Sequence, residues 1–124
     1  MPKVKVAFYR EESGIVPILR WFEELPFKAR IKCIERIERL QEMGHELRRP
    51  EADFLRDGIY ELRASFQGIH YRMLYFFHGK SLIILSHGII KERTVPPREI
   101  DKAILRKNRF LVAPHRHSYE EIGK

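Results

Sequence analysis

The sequence predicts a single α+β domain in which a short N-terminal strand and a helical hairpin pack on an antiparallel sheet that is followed by a C-terminal helix. Apolar residues recur at helical spacing between residues 17 and 43, and the pattern changes to strand-like alternation after residue 58. Two short glycine-containing segments then divide this second half into three strands. The 124 residues, 44% of them hydrophobic, suffice for one ordinary core, so residues 1–124 form one predicted domain.

The first half of the chain supplies the strand and both helices of the hairpin. Residues 4–9 are apolar apart from one lysine and form the predicted strand. A helix begins near Pro17, which suits a first helical turn, and ends at Pro26. A second helix runs from about residue 27 to 43, where a glycine ends it. Because almost no chain separates the two helices, we expect a tight antiparallel hairpin.

The second half is expected to form an antiparallel meander and a last helix. We expect the helices to pack on one face of the sheet, which leaves the other face open to water or a ligand. After the polar stretch 44–57, the predicted elements are strands Ile59–Phe66, Ile69–Phe77 and Leu82–Ile89, turns at Gln67-Gly68 and His78-Gly79-Lys80, a helix over about Pro97–Leu111, and a flexible tail over 112–124.

Composition indicates a soluble protein with an acidic or polyanionic partner. The formal net charge is +7 and the pI about 9.8, with the basic residues spread along the chain. The single cysteine, Cys33, excludes an intramolecular disulfide and fits a reducing cytoplasm. No apolar run approaches the roughly 18 residues that a membrane span needs. The N-terminus enters the first strand directly, without a signal-peptide core, so a cytoplasmic location is predicted.

Two arginines interrupt the apolar pattern of the predicted sheet. Arg63 lies on the polar side of its strand, where it either forms a salt bridge with a neighbouring glutamate or faces a ligand. Arg72 shares a face with Leu74 and Phe76 in the central strand, and an unpaired buried arginine costs several kcal/mol. Arg72 must therefore pair with a carboxylate or open onto a cleft, and its planar fork suits a phosphate.

Further cations follow the last predicted strand. His87 lies near the end of that strand, with Lys91 and Arg93 close behind it. Neighbouring cations favour a neutral imidazole that can accept a proton, although a strand-end histidine is also a common structural residue. The last helix carries a basic stripe that is either a solvated face or a polyanion contact. Its members are Arg98, Lys102, Arg106 and Arg109.

Other site types lack their sequence signatures. The histidines show no metal-ligand spacing, and the chain has neither a GxxxxGK phosphate loop nor a serine nucleophile elbow. We therefore expect no metal and no cofactor, and a candidate site made of arginine, histidine, lysine and tyrosine side chains.

These residues occur in an order that resembles a known family. Glu61-Leu62-Arg63, Tyr71-Arg72-Met73-Leu74-Tyr75, His87-Gly88-Ile89-Ile90-Lys91 and Pro97-Arg98-Glu99-Ile100 resemble, in order and spacing, motifs of RelE/HigB-superfamily toxins of type II toxin–antitoxin modules. The resemblance is strongest to the phage-derived Gp49-like branch of HigB and covers roughly residues 6–110. The chain departs from the pattern at Glu92, where a second lysine is usual, and at Ile89 and Ile90, where an aromatic residue is common.

The resemblance implies a compact RelE-like fold and a messenger-RNA endoribonuclease that acts on translating ribosomes. It also implies a cognate antitoxin, which we expect to be a small helix-turn-helix protein. In the predicted mechanism, which needs no metal, the 2′-hydroxyl of the RNA attacks the adjacent phosphate and leaves a 2′,3′-cyclic phosphate and a 5′-hydroxyl.

The predicted roles follow from matched positions and from side-chain chemistry. Arg63 and Arg72 stabilise the charge on the phosphate, and Lys91 assists them. His87 is the predicted acid or base, with Tyr75 in reserve. The residues predicted to hold RNA phosphates are Arg93, Arg98, Lys102 and Arg106.

Two other functions are compatible with the same fold. Relatives of the ParE type inhibit DNA gyrase by binding it and do not cleave RNA. A catalytically silent remnant that binds only its antitoxin is the other alternative, and Glu92 in place of a lysine favours it.

Overall fold

A computed structural model of the chain describes residues 4–90 and 93–120. The helices are α1 (Pro17–Glu23), α2 (Phe27–Met43) and α3 (Pro97–Val112), and a short 3₁₀ turn, Gly44–Glu46, follows α2. The strands are β1 (Lys5–Tyr9), β2 (Ala52–Arg56), β3 (Ile59–Phe66), β4 (Ile69–His78), β5 (Leu82–Ile90) and β6 (Ser118–Tyr119).

The strands form one sheet in the order β2-β3-β4-β5-β1-β6. All neighbours are antiparallel except β1 and β5, which run parallel with Val6 opposite Ile83. The predicted α+β class, with its N-terminal strand, hairpin, antiparallel meander and C-terminal helix, is confirmed. No helix in the described ranges is long and apolar enough to cross a membrane.

Helices cover both faces of the sheet. On one face, which we call the hairpin face, α1 and α2 pack against residues such as Leu62 and Met73. On the other, the α3 face, Ile100 and Phe110 of α3 pack against Phe76 and its neighbours. The expectation that all helices share one face is therefore wrong for α3. Part of the α3 face is itself apolar, and α3 removes that part from water.

Two strands lie where the sequence indicated none. β2 falls inside the stretch 44–57 and pairs with β3 through a turn at Asp57 (φ 52°) and Gly58 (φ 81°). Two consecutive residues with positive φ are typical of a two-residue hairpin, for which Asp-Gly is a strong signal. β6 pairs with β1 in the segment predicted to be a flexible tail. There the Arg10 guanidinium donates hydrogen bonds to the carbonyl oxygens of His115 and Arg116, so part of the segment predicted to be a flexible tail has defined contacts with the fold.

A β-bulge in β5 changes which face His87 occupies. Leu74 of β4 lies opposite His87, but the next residue, Tyr75, lies opposite Leu85, so Ser86 is an extra residue. In a regular strand, His87 and Leu85 would lie on the same face because they are two residues apart. The bulge instead turns His87 to the α3 face, the face on which Arg72 lies.

Candidate functional site

Five charged side chains form a continuous row that begins in the loop before β2 and follows the α3 face of β2, β3 and β4. This charge row consists of Arg49, Asp53, Glu61, Arg63 and Arg72. Arg72 Nη1 donates to Glu61 Oε1 at 2.9 Å, and Arg63 Nη2 donates to Glu61 Oε2 at 2.8 Å. Arg63 Nη2 also lies 3.3 Å from Asp53 Oδ2, which Arg49 Nη2 approaches to 3.0 Å. The row therefore runs from the loop before β2, across β2 and β3, to β4.

Glu61 is the centre of the charge row. The residue is only 2% exposed, and each of its carboxylate oxygens accepts a hydrogen bond from a different arginine. Burial of a carboxylate is tolerated when it is paired in this way. Arg63 thus forms the salt bridge that the simpler interpretation predicted, and Arg72 has the carboxylate partner that its position required. The shared carboxylate fixes both guanidinium groups relative to each other.

The charge row keeps an excess of positive charge. It contains three guanidinium groups and two carboxylates, which leaves one net positive charge if all are ionised. The hydrogen bond from Arg49 lowers the pKa of Asp53 and outweighs the opposing effect of desolvation, so Asp53 is ionised at neutral pH. The side chain of Arg63 is 33% exposed and that of Arg72 only 11%. Arg63 is therefore the more accessible of the two strand arginines.

His87 lies on the same face, but both of its ring nitrogens are engaged. Nε2 is 2.9 Å from Glu99 Oε1, and Nδ1 is 2.8 Å from the Ser86 hydroxyl. The pKa of His87 is lowered to about 4, chiefly by burial and also by the positive charge of Arg106, while the hydrogen bond to Glu99 acts in the opposite direction. The neutral ring therefore donates from Nε2 to Glu99 and accepts from Ser86 at Nδ1. Neither nitrogen is open to a substrate, which conflicts with the predicted acid or base role.

Tyr75 lies on the opposite side of the sheet from the arginines. It is 1% exposed on the hairpin face, where it stacks on Tyr60 with ring centroids 5.4 Å apart. Burial raises its pKa well above the ordinary value. An odd spacing along β4 separates Tyr75 from Arg72, so the two side chains point to opposite faces. The structure therefore does not bring Tyr75 together with the strand arginines, and its reserve role as acid or base stays a prediction without geometric support.

The predicted RNA-binding cations separate into two groups. Arg93, Arg98 and Lys102 are exposed near the N-terminal end of α3. Arg106 is largely buried, because its Nη2 donates to Glu11 Oε2 at 2.8 Å and its guanidinium covers the ring of Tyr9. Arg106 is thus a structural residue and not part of an exposed basic stripe. Lys91 and Glu92 lie outside the described residues.

Sequence reasoning did not single out two residues of this face. Glu61 precedes Arg63 by two positions, a spacing that places both on one face of a strand. His70 precedes Arg72 by two positions and lies opposite Ser65, exposed, one row beyond the Arg63–Arg72 pair. Alternation could have identified both. Within the described ranges, no three His, Cys, Asp or Glu side chains form a group that could hold a metal ion.

Comparison with known proteins identifies the family of the chain. The family model described as "Phage derived protein Gp49-like (DUF891)" matches residues 20–108, more than half of the chain and all of the charge row. No curated protein matches the chain at a significant level. The Gp49-like family belongs to the RelE/HigB-type toxin superfamily, and it suggests a toxin of a toxin–antitoxin system. The chain belongs to the phage-derived Gp49-like family.

Proposed function

We propose that the protein is the toxin of a type II toxin–antitoxin module and that it cleaves messenger RNA on translating ribosomes. Family membership supports the toxin class. The charge row is the observation that carries the catalytic part of the proposal, because it holds two arginines rigidly on a sheet face that α3 covers only in part. Fixed positive charge at a phosphate is what this cleavage needs most from a protein.

The proposed reaction uses a nucleophile that the RNA itself supplies. The 2′-oxygen forms a bond to the adjacent phosphorus, the bond from phosphorus to the 5′-oxygen breaks, and the proton of the 2′-hydroxyl passes to the leaving oxygen through acid and base groups. Arg63 and Arg72 stabilise the charge on the five-coordinate phosphorus, and Lys91 assists. Glu61 holds the two arginines in position, so that little reorganisation is needed when the charge develops.

Proton transfer is better assigned to His70 than to His87. His70 is exposed on the same face as the strand arginines, two positions along β4 from Arg72. His87 and Glu99 instead connect β5 to the N-terminal turn of α3, which carries Arg98 and Lys102. In this proposal His87 is a positioning residue, while Arg93, Arg98 and Lys102 bind RNA phosphates.

The test is cleavage of a defined message by purified protein and purified ribosomes. The wild-type protein is expected to cut the message and leave 2′,3′-cyclic phosphate and 5′-hydroxyl ends. These ends identify the proposed chemistry without removal of the magnesium that ribosomes need. Arg63→Ala and Arg72→Ala should each lower the cleavage rate at least about 100-fold. Arg20→Ala, which removes an exposed arginine of α1, is the matched control and should cleave as the wild type does.

Circular dichroism must show that the arginine variants remain folded. Arg63→Ala leaves Glu61 paired with Arg72, so at least this variant should keep the native fold. Normal cleavage by a folded Arg63→Ala variant would remove the proposed role of the charge row. An intact message together with inhibited DNA supercoiling by gyrase would favour the ParE-like alternative instead.

A further inference from the structure

A cavity of about 570 Å³ opens beside β2, next to the charge row. Its lining includes His45, Arg48, Arg49, Phe54 and Tyr60, together with Asp53 of the charge row. β2 is the first strand of the sheet and pairs with β3 alone among the described strands. The cavity therefore lies at an edge of the sheet, and its volume is in the range of small-ligand sites.

The aromatic side of this cavity presents an exposed ring on a rigid support. Phe54 is 54% exposed, although large apolar side chains on strands are usually covered. Its ring meets Tyr60 edge-on, with centroids 5.2 Å apart, and Tyr60 in turn stacks on the buried Tyr75. His45 stacks on Phe77 at 3.7 Å. Rings held in this way lose little conformational freedom when a second flat ring stacks on them.

The basic side of the cavity connects it to the charge row. Arg48 and Arg49 are both exposed at its rim, and Arg49 bonds to Asp53, the carboxylate that also meets Arg63. The aromatic rings of the cavity lie on the hairpin face, whereas Arg63 lies on the α3 face. An anionic chain whose phosphate lies at Arg63 therefore reaches Arg48 by passing around the edge strand β2, over Arg49. Exposed aromatic rings beside a track of positive charge are the features by which proteins bind single-stranded nucleic acid.

We propose that this cavity binds one unstacked base of single-stranded RNA, with Phe54 as the stacking surface and Arg48 on the adjoining phosphate. The choice of RNA rests on the proposed function, because the cavity meets, at the edge of the sheet, the charge row at which the scissile phosphate would lie. A base in a duplex has both faces covered by its neighbours, so the subsite selects single strands.

The test measures binding with a probe that cannot be cleaved. A short fluorescent single-stranded RNA that is 2′-O-methylated throughout lacks the nucleophile, so fluorescence anisotropy reports its affinity whether or not the protein is a nuclease. Phe54→Ala and Arg48→Ala should each raise Kd at least about fivefold, the effect expected for loss of one stacked base or one phosphate contact. A 2-aminopurine placed in the same probe should be quenched by the wild type and less so by Phe54→Ala.

Two matched controls separate this subsite from general effects. Phe27→Ala removes a phenylalanine that is 68% exposed at the start of α2, and Arg20→Ala removes one exposed positive charge of α1. Both should bind the probe within about twofold of the wild type. A duplex of the same sequence should compete poorly. Unchanged affinity of folded Phe54→Ala, equal loss in the controls, or equal competition by the duplex overturns the proposal.

The result is independent of the ribonuclease assay. If Phe54→Ala weakens binding of the probe but the wild-type protein does not cleave the message, the subsite is supported and the proposed activity is wrong. If the wild type cleaves and Phe54→Ala binds the probe normally, the activity stands and the subsite fails.

Discussion

Glu61 is the residue on which the geometry of the charge row depends. Its buried carboxylate accepts hydrogen bonds from both Arg63 and Arg72. Glu61→Ala leaves two arginines, one of them largely buried, without their shared partner. We expect the free energy of unfolding, measured by urea denaturation, to fall by about 3–5 kcal/mol.

An exposed glutamate provides the control for this substitution. Glu35 on α2 is exposed and its carboxylate lies 3.8 Å from Lys32. Because an exposed ion pair contributes little, Glu35→Ala should change the free energy of unfolding by less than about 0.5 kcal/mol. Similar effects at both positions would mean that the pairing at Glu61 does not stabilise the fold.

His87 makes the stability of the fold depend on pH. Its folded-state pKa is about 4, below the roughly 6.5 of an unfolded histidine. As the pH falls below 6.5, the unfolded chain takes up the proton first, so the free energy of unfolding decreases until about pH 4. The full effect is about 3 kcal/mol. Chemical denaturation at a series of pH values between 4 and 7 measures it.

Glutamine tests whether His87 causes this dependence. The side chain of His87→Gln can still donate to Glu99 and accept from Ser86, but it does not titrate. The variant should therefore lose less stability than the wild type between pH 6.5 and 4. If the free energy of unfolding falls equally in the two proteins over this pH range, the pH dependence comes from groups other than His87.

Only part of the site could be predicted at the level of single residues. The two strand arginines were identifiable because a charged side chain inside an apolar pattern needs a partner or a ligand. The sequence could not decide between those outcomes for Arg72, because the strand pairing that sets Glu61 beside it is a long-range contact. The paired state of His87 likewise depends on α3, which reaches β5 only in the folded chain.

At the scale of elements, Gly88 controls how closely α1 approaches β5. A Cβ atom at this position would lie 2.3 Å from a ring carbon of Trp21, closer than atoms can pack. Gly88→Ala must therefore displace the indole or the strand. We expect it to lower the free energy of unfolding by about 1–3 kcal/mol in a denaturant titration.

A double-mutant cycle identifies the contact that causes this loss. In a Trp21→Ala background the indole is absent. Adding Gly88→Ala should therefore lower the free energy of unfolding much less than it does in the wild type. If Gly88→Ala lowers the free energy of unfolding equally in the two backgrounds, the effect comes from the strand itself and not from its contact with α1.

The elements that periodicity describes well were the ones predicted. The hairpin helices and the three meander strands have long apolar patterns, and their turns contain glycine. β2 was missed because it is a short edge strand. It contains Asp53 and Arg56, so its sequence is also typical of a polar connecting loop. The bulge at Ser86 was missed because a single extra residue is defined only relative to the partner strand.

At the scale of the whole molecule, charge should govern the proposed complex with an antitoxin. The chain carries a formal net charge of +7, and a partner that covers the charge row or packs beside α3 should present an acidic surface. The affinity should therefore fall as salt concentration rises. Arg98, whose side chain is 78% exposed, tests this, since Arg98→Glu should weaken the complex by about tenfold in isothermal titration calorimetry.

A charge reversal elsewhere is the control for this prediction. Lys28→Glu changes the net charge equally, but it lies on α2 at an exposed position away from α3. Arg106→Glu would be uninformative, because it places a second carboxylate against Glu11 inside the fold. A tight complex that is indifferent to salt and to Arg98→Glu would indicate an apolar interface on the hairpin side, near Trp21.

The position of β1 in the sheet sets the order in which the protein can form. β1 is synthesised first, yet its neighbours are β5, which begins at Leu82, and β6, which begins at Ser118. While the chain is still emerging, β1 has no strand to pair with, and the α1 and α2 residues have only part of their sheet. Contacts between such distant segments slow folding and delay it until late in translation. A nascent chain therefore contains Arg63 and Arg72 well before it has the completed sheet that supports them.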